Sequence, residues 1–467
     1  MSDSKKKDSS PKTESSISRK KFLGQAAMAS AGFMFVPRHV LGGTGFVAPS
    51  DRLNIACIGI GGMGGNNTRN LAELGENIYA LCDVDEDYAA DVFGTYPKAK
   101  KYTDFREMLD KEPEIDAVVI STPDNNHAAI GIHAMEMGKH AYVEKPLTRT
   151  IYESNRMAQV AAETGVKTQM GNQGHAREGT YKIVEWIRQG AIGDVHEVHT
   201  WTDRPRGYWP QGSTMNYPEE IPAVPGTMNW DLWVGPSPYR PYHPAYAPFR
   251  WRGFWDFGAG SLGDMGAHIV DQPYWALELD RPTTVHASCT PFTNASYPEG
   301  SSVHYEFPER NGRPAVKLSW FDGGIMPPRP KELEQGKQMG ANGGGMIFYG
   351  SDGMLMADVY GDNPRFIPES NLDNVGQPRQ MMERSPGIHE EWTRAIKNDG
   401  ETTSNFQYAS ELTKTMLLGN VAIRFSNHNK ILEYDGNSEQ FTNLDEANEW
   451  LKSQQEEFRP GWKEMIG

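Results

Sequence analysis

Short apolar runs alternate with helical patterns from about residue 52 to residue 170. Residues 53–58 form a β-branched run typical of a buried parallel strand, and a glycine-rich turn and a helical pattern follow directly. Strands alternating with helices predict a doubly wound parallel sheet for a first domain over residues 49–170. The other predicted strands are 78–82, 115–120, 141–144 and 166–170, and the other predicted helices are 105–109, 127–137 and 151–164.

The pattern changes in the second domain, which we assign to residues 171–467. Short alternating segments at 195–201, 303–307 and 316–320 predict half-buried strands, and residues 346–356 predict a hairpin around a glycine turn. Residues 323–345 are rich in Gly, Pro and Lys, which predicts a long loop near the entrance of a site or at a subunit contact. Residues 388–397 and 406–424 show helical patterns.

The N-terminal segment predicts an export signal and linker over residues 1–48. Residues 1–21 are polar and basic, and residues 22–36 are apolar and small, which is the order of a secretory signal. Residues 18–23 resemble the twin-arginine signal, with Lys20 in place of the second Arg, so the general secretory route stays open as well. We therefore expect an exported, periplasmic protein with no stable membrane span after signal removal.

The composition argues against nucleic-acid-binding proteins, disulfide-stapled scaffolds and Cys-rich metal proteins. The net charge is −15 although the N-terminal segment is basic, so the rest of the chain is strongly acidic and a poor match for nucleic-acid phosphates. Three Cys in 467 residues exclude a disulfide-stapled scaffold and a Cys-rich metal cluster.

The glycine turn has the spacing of a dinucleotide-binding motif, Gly59-x-Gly61-x-x-Gly64, between a strand and a helix. The first glycine permits the tight turn, the second allows a pyrophosphate to approach, and the third allows close packing of helix on strand. Asp83 ends the next strand, about 20 residues beyond the turn, where a carboxylate accepts from ribose hydroxyls and repels a 2′-phosphate. The motif therefore favours NAD over NADP, and a flavodoxin-like sheet with a surface Asp is the alternative.

Ligands of such sheets bind beyond the carboxyl ends of the strands, and several polar residues fall there. The predicted cofactor-binding residues are Gly59, Gly61, Gly62, Met63, Gly64, Asp83, Thr122, Pro123, His127, Glu144, Lys145 and Asn172. For His127, which opens a helix, a capping or surface role competes with a place at the cofactor edge.

The glycine motif, Asp83, Glu144-Lys145-Pro146 and a later Asp264-x-x-x-His268 together resemble the Gfo/Idh/MocA oxidoreductases. The longer stretches 171–175, 230–235 and 258–268 resemble a secreted bacterial branch of this family. The resemblance spans residue 52 to the C-terminus. It implies an α/β protein with an N-terminal Rossmann sheet and a C-terminal α/β domain with a large open, mainly antiparallel sheet. It also implies NAD(P)-dependent redox chemistry on sugars, inositols or glycosides, and a homodimer or homotetramer.

Lys145, Asp264 and His268 are the predicted catalytic residues. Pro146 disfavours helical geometry at Lys145, and an ammonium at this strand end can stabilise a developing alkoxide. His268 suits proton transfer near neutral pH, and Asp264 shares its face if the segment is helical. The alternatives are an exposed Lys paired with Glu144 and an ordinary helical pair; no third ligand with recognisable spacing follows, so no metal site is predicted.

Aromatic and arginine residues crowd residues 201–257, where six of the 12 Trp lie. Aromatic faces stack on sugars and Arg binds hydroxyls or carboxylates, but a small core of its own or a subunit interface explains the same composition. The predicted substrate-binding residues are His175, Arg177, Trp201, Arg204, Trp251 and Arg252. His175 fits a structural role as well as a place at the entrance.

The resulting hypothesis is an exported NAD-dependent oxidoreductase acting on a secondary hydroxyl of a sugar or glycoside, with C3 oxidation to a keto-glycoside as its most specific form. Free NAD is expected to be scarce outside the cytoplasm, so the cofactor should stay bound and be recycled on the enzyme. Two alternatives are an NAD-dependent glycosidase that uses transient oxidation and elimination, and a non-catalytic sugar-binding protein on the same fold.

Overall fold

The structure is a computed structural model that describes residues 51–341 and 343–467. In these ranges two sheets share one continuous hydrophobic core. The predicted export signal lies outside the described residues. In the described part of the chain, no helix has both the length and the apolar character needed to cross a bilayer.

The first sheet has six parallel strands in the order β3-β2-β1-β4-β5-β6. Its central strands are buried on both faces, which explains why their sequences are continuous apolar runs. The strands are β1 (Asn54–Ile58), β2 (Asn77–Cys82), β3 (Lys100–Tyr102), β4 (Ala117–Ile120), β5 (His140–Glu144) and β6 (Thr168–Gly171).

Helices connect these strands, and local signals set their ends. The longest of them begins after Thr150, whose side chain and that of Glu153 form a reciprocal capping box, and it ends at Gly165 in the left-handed region. The helices are α1 (Met63–Glu73), α2 (Ala90–Thr95), α3 (Phe105–Lys111), α4 (His127–Glu136) and α5 (Ile151–Thr164).

The second sheet has nine strands in the order β13-β12-β11-β7-β10-β9-β8-β14-β15. Only β7 and β10 pair in parallel; the other neighbours are antiparallel, so the predicted fold class is confirmed. The strands are β7 (Val195–Thr202), β8 (Thr284–Cys289), β9 (Ser301–Phe307), β10 (Val316–Phe321), β11 (Gly344–Gly350), β12 (Met354–Asp358), β13 (Arg365–Ile367), β14 (Leu432–Asp435) and β15 (Gln440–Phe441).

Helices after β6 link the two sheets. Trp392 of one later helix is buried in the same cluster as Ile55 of β1 and Tyr142 of β5, so this part of the chain packs back on the first sheet. The helices are α6 (Glu178–Arg188), α7 (Trp230–Val234), α8 (Gly260–Ile269), α9 (Asp271–Ala276), α10 (Asn371–Val375), α11 (Ile388–Asn398), α12 (Phe406–Arg424), α13 (Asp445–Glu456) and α14 (Lys463–Ile466).

The long loop between β10 and β11 covers part of the nine-stranded sheet. Its residues Leu333 and Met339 are buried in one cluster with Trp201 of β7 and Ile347 of β11. None of the described residues of this loop lines the cavity that holds the predicted catalytic residues. The loop therefore covers a sheet face here rather than the entrance of the site.

Candidate active site

A cavity of about 450 Å³ extends from the glycine turn after β1 to α8. It lies beyond the carboxyl ends of the parallel strands, where ligands of such sheets bind. The predicted site residues that line it are Gly59, Gly61, Gly62, Met63, Asp83, Thr122, Pro123, Glu144, Lys145, Arg204, Trp251, Arg252, Asp264 and His268. The cavity thus contains the predicted catalytic residues and most of the predicted cofactor-binding residues.

The glycine turn is tight because its glycines have no side chains. Gly59 has a φ of +74°, and its N–H donates to the Cys82 carbonyl at 2.9 Å. A Cβ at Gly64 would lie 1.9 Å from the Gly59 carbonyl oxygen, so any side chain there would displace the turn from the start of α1. The predicted role of Gly64 in close packing matches this geometry, although Gly64 itself does not line the cavity.

Asp83 holds the turn from the end of β2. Its carboxylate accepts from the N–H groups of Ile60 at 2.8 Å, Gly61 at 3.2 Å and Asp85 at 3.0 Å. Burial raises the pKa of Asp83, and the three backbone donors counteract part of that rise. The same carboxylate lines the cavity, so it orders the turn as well as lying where a ribose is predicted to bind.

Lys145 and Asp264 form an ion pair in the lining of the cavity. Lys145 follows β5, and its Nζ donates to Asp264 Oδ1 at 2.7 Å and to the Asp264 carbonyl at 3.1 Å. The two side chains are only 11% and 5% exposed, so the ion pair is largely removed from water. The structure therefore does not support the alternative of an exposed Lys145 paired with Glu144.

Two arginines share the same carboxylate. Arg204 Nη1 donates to Asp264 Oδ2 at 2.8 Å, and Arg252 Nε donates to Oδ1 at 3.1 Å. Burial acts to raise the pKa of Asp264, but the charges of Lys145, Arg252 and Arg204 together hold this pKa well below its usual range. Asp264 is thus an ionised centre that orients three cations.

His268 lies one turn after Asp264 on α8 and is 4% exposed. Burial and the nearby Lys145 charge lower its pKa well below the usual range, so the imidazole is neutral at pH 7. Its ring packs edge-on against Tyr360 at 4.8 Å, and its buried Nδ1 has no hydrogen-bond partner among the described residues. A neutral imidazole that lines the cavity can accept a proton.

Three of the predicted cofactor-binding residues differ in their position relative to the cavity. Glu144 accepts from Asn67 Nδ2 at 2.9 Å and from Gln173 Nε2 at 3.1 Å, and it lines the cavity. The two ring nitrogens of His127 lie 2.9 Å from the Pro146 carbonyl and 3.0 Å from the Thr122 carbonyl, beneath the lining. Asn172 is buried away from the cavity, where its Oδ1 accepts from Ser404 at 2.8 Å.

His175 and Arg177 do not line the cavity. His175 Nδ1 lies 2.9 Å from Asp271 Oδ2, and its ring stacks on Trp275 at 4.2 Å, so it is a buried structural residue here. Arg177 pairs with Asp362 and lies over the ring of Tyr360 at 4.8 Å. Because Tyr360 lines the cavity, Arg177 reaches the site only through that ring.

The aromatic segment forms a core of its own and also lines the site. Trp230 and Trp233 stack at 4.5 Å within a buried cluster that also includes Trp251. Trp251 lines the cavity at the edge of this cluster, whereas Trp201 is buried in the loop cluster on the other sheet. The segment is therefore mainly core, and one edge of it borders the cavity.

The cavity residues that were not predicted from the sequence include Asp124, Tyr88 and Tyr360. Asp124 follows Pro123 and accepts from the Ala259 N–H at 3.0 Å, and burial raises its pKa to about 7. Its position after a strand end was the available signal. Tyr88 and Tyr360 come from regions far apart in sequence and had no distinguishing pattern.

The shape of the turn fits a dinucleotide. A Cβ at Gly61 would lie 2.1 Å from the Tyr88 ring, so a side chain at this position would have to displace that ring, and glycine leaves it in place beside the turn. The same cavity continues past Thr122 and Pro123 to Lys145. Gly59, Gly61 and Gly62 would hold the diphosphate, and the strand ends would hold the nicotinamide half.

Comparison with known families agrees with this geometry. A family model described as oxidoreductase family, NAD-binding Rossmann fold, matches residues 53–172. Residues 53–172 therefore belong to the Gfo/Idh/MocA family of oxidoreductases. A second model, described as oxidoreductase family, C-terminal alpha/beta domain, matches residues 196–298. The predicted family and the predicted NAD cofactor are confirmed.

The chain is also similar to named relatives and to solved structures, at 16% to 31% sequence identity. Glycosyl hydrolase family 109 proteins of Shewanella pealeana and Shewanella baltica are 30% and 31% identical over 203 and 205 residues, which is 38% of this chain. The match spans 44% of the length of these relatives.

The fold is similar to that of the WlbA dehydrogenase from Bordetella pertussis in complex with NADH and UDP-GlcNAcA, with a TM-score of 0.57, 16% identity, and coverage of 82% of this chain and 99% of that one. A levoglucosan dehydrogenase in complex with NADH gives a TM-score of 0.55 at 16% identity, over 82% of this chain and 99% of that one.

Proposed function

We propose that this chain is an NAD-dependent oxidoreductase that acts on a secondary hydroxyl of a sugar or glycoside. The observation that carries the proposal is the convergence of Lys145, Asp264 and His268 on the cavity that begins at the glycine turn. The dehydrogenases with similar folds, one with a nucleotide sugar and one named for levoglucosan, support sugars as the substrate class.

The chain's own residues supply the proton chemistry. The Lys145 ammonium donates to the oxygen of the reacting hydroxyl and stabilises negative charge that develops there. The neutral His268 accepts the hydroxyl proton, while Asp264 holds the Lys145 side chain in place. When bound, NAD supplies the acceptor for the carbinol hydride.

The proposal extends to location and cofactor retention. A basic segment at 1–21 followed by an apolar segment at 22–36 supports export to the periplasm. Because free NAD is scarce there, the cofactor remains bound and is recycled by a second substrate. Protein that keeps NAD through gel filtration supports this, and an apo preparation with only millimolar affinity for NAD contradicts it.

The reacting carbon is proposed as C3 of a glycoside. A keto group at C3 would make the neighbouring C2 proton acidic, and loss of that proton would expel the aglycone from C1. Addition of water across the C1–C2 double bond and return of the hydride to C3 would then give the free sugar, so the net reaction is hydrolysis. The glycosyl hydrolase names of the relatives favour this second candidate, an NAD-dependent glycosidase. The two net reactions share the first step and differ in whether keto-sugar or free sugar accumulates.

The test follows the absorbance of the bound cofactor and the products while glycosides are screened. Keto-sugar with a change in cofactor redox state supports the oxidoreductase, and aglycone release without accumulation of reduced cofactor supports the glycosidase. Lys145→Ala and His268→Ala should each lower turnover by about 10²–10⁴-fold. The matched controls Lys337→Ala and His428→Ala, outside the cavity, should leave turnover unchanged.

A non-catalytic sugar-binding protein is the remaining alternative. In that case glycans would bind, no product would form with any glycoside, and neither substitution would have turnover to remove. Retained NAD in the Lys145→Ala variant, measured after denaturation, separates a lost proton step from a lost cofactor.

A further inference from the structure

One carboxylate in the cavity is shared by three cations. Asp264 is contacted by Lys145 at 2.7 Å, Arg204 at 2.8 Å and Arg252 at 3.1 Å. A single negative charge cannot neutralise three positive ones, so this end of the cavity carries excess positive charge. Of these three cations, only Lys145 has a role in the proposed proton chemistry, so the two arginines have no catalytic explanation.

The other acids of the cavity do not remove this excess. Asp124 accepts from the Ala259 N–H, and because burial raises its pKa to about 7, its charge is only partial at neutral pH. Glu144 receives N–H groups from Asn67 and Gln173, and burial raises its pKa as well. Asp83 is bound to the backbone of the glycine turn, and Asp85 accepts from the Tyr88 N–H at 3.2 Å. Within the described residues, neither acid forms an ion pair with Arg204 or Arg252.

Both guanidinium groups keep unused donors. The Arg204 guanidinium makes one hydrogen bond, through Nη1. The Arg252 guanidinium makes two, through Nε and through Nη1, which donates to the Phe249 carbonyl at 3.1 Å. Within the described residues, Nε and Nη2 of Arg204 and Nη2 of Arg252 have no hydrogen-bond partner, and none of these three atoms is fully buried. Since both side chains line the cavity, these N–H groups are accessible to a ligand.

Aromatic rings hold both groups in place. The Arg204 guanidinium lies over Tyr208 at 4.4 Å, and that of Arg252 lies over Trp251 at 4.2 Å and Phe249 at 4.4 Å. A planar guanidinium fixed by stacking and by one carboxylate loses little further freedom when it binds a second anion. The arrangement is that of a pre-ordered anion receptor with several free N–H donors.

We propose that the substrate is a sugar that carries an anionic group, a carboxylate or a sulfate ester, bound by Arg204 and Arg252 while a secondary hydroxyl lies at Lys145. The inference rests on the proposed function, since it names the class of sugar that the same cavity takes. A neutral glycoside would leave Asp264 as the one carboxylate shared by both guanidinium groups, and it would cover their remaining N–H donors without giving them an anionic partner, which costs binding free energy.

The test measures binding to the wild-type holoenzyme by calorimetry, with matched methyl glycosides of the gluco, galacto and manno series. Each series contains the neutral sugar, its uronic acid and its 6-sulfate. In at least one series we expect an anionic member to bind at least tenfold more tightly than the neutral sugar, and the advantage should shrink as salt is raised. The uronic acid and sulfate arms decide which anion is preferred.

Variants assign the effect to the arginines. Arg204→Gln and Arg252→Gln should each weaken binding of the preferred anionic sugar at least tenfold and change binding of the neutral sugar less than twofold. Arg240→Gln is the matched control, because Arg240 also pairs with an acid, Asp256, and lies over an aromatic ring, but it does not line the cavity. It should leave both affinities unchanged.

The outcomes separate the two proposals. Equal or tighter binding of the neutral sugars in every series, or no binding of any anionic member, overturns the anionic substrate even if neutral sugars are oxidised. Tight binding of an anionic sugar without any change in the redox state of the cofactor supports the receptor and contradicts the oxidoreductase.

Discussion

Replacing Asp264 by Asn tests whether this carboxylate holds the cavity together. The substitution keeps the size of the side chain and removes its charge, which leaves Lys145, Arg204 and Arg252 facing one another without a counter-ion. Because the Asp264 side chain is 5% exposed and that of Lys145 is 11% exposed, water can replace the lost interaction only in part. We therefore expect a large loss of stability.

The magnitude follows from the burial of the partners. Removing one member of a buried ion pair costs about 3–5 kcal/mol, because the remaining charge stays desolvated. Glu107→Gln is the matched control: its partner Lys111 lies one helical turn away, and the two side chains are 51% and 61% exposed. Such a surface pair contributes about 0.3–0.5 kcal/mol, so the two substitutions should differ by a factor of several.

The assay is urea denaturation of the wild type and both variants at pH 7, with the same NAD loading in each because bound cofactor adds stability. The folded pKa of Asp264 is depressed, so its contribution is fully present above the unfolded value near pH 4 and declines as the pH falls below that value. The part of the difference between the wild type and Asp264→Asn that comes from Asp264 itself should thus narrow as the pH falls below about 4. Adding Lys145→Met to Asp264→Asn should restore part of the loss.

The reasoning is refuted if Asp264→Asn unfolds within about 1 kcal/mol of the wild type at pH 7, the range of an exposed pair. It is also refuted if the double variant is less stable than Asp264→Asn alone, since removing an unpaired buried cation should relieve repulsion.

Three further predictions concern the turn, the buried acid and the buried histidine. Gly64→Ala should weaken NAD binding, measured by calorimetry, at least tenfold, because its methyl group would lie 1.9 Å from the Gly59 carbonyl oxygen. The control Gly94→Ala, where a methyl group meets open space, should leave the NAD affinity unchanged. Equal NAD affinities of the two variants would contradict the packing argument. Burial raises the pKa of Asp124 to about 7 in the folded protein, so between about pH 4 and 7 the folded protein keeps a proton that the unfolded chain has lost. The free energy of unfolding should therefore fall by up to about 4 kcal/mol as the pH rises through this range. In Asp124→Asn, the urea denaturation midpoint should differ less between pH 5 and pH 8 than it does in the wild type. An equal difference in both proteins would contradict this role of Asp124. His175→Phe should lower stability by about 1–3 kcal/mol without changing the KM for sugar, and a raised KM would place this residue in the substrate path.

Much of the first domain could be predicted from local patterns. The strand β1 is a continuous apolar run because it is covered on both faces, and the capping box at Thr150 marks the helix start that the pattern predicts. The glycine spacing predicts the turn because only glycine tolerates its φ of +74° at Gly59 and the close approach at Gly64.

Side-chain partners were harder to predict. His175 and Trp201 have residue types that suit a sugar site, yet both are buried in other clusters, because residue type does not say which face of the fold a side chain meets. Asp83 was expected to bind a ribose, and the structure adds that the same carboxylate accepts the backbone N–H groups of the turn.

The sequence by itself determined the alternation of strands and helices, the dinucleotide turn and the candidate residues at the strand ends, since each depends on neighbours within a few positions. Only the tertiary structure decided that Lys145 and Asp264, 119 positions apart, form one ion pair, and that Arg204 and Arg252 join it. The physical reason is that burial and long-range pairing set the charge of each group, and neither is written in the local pattern of the chain.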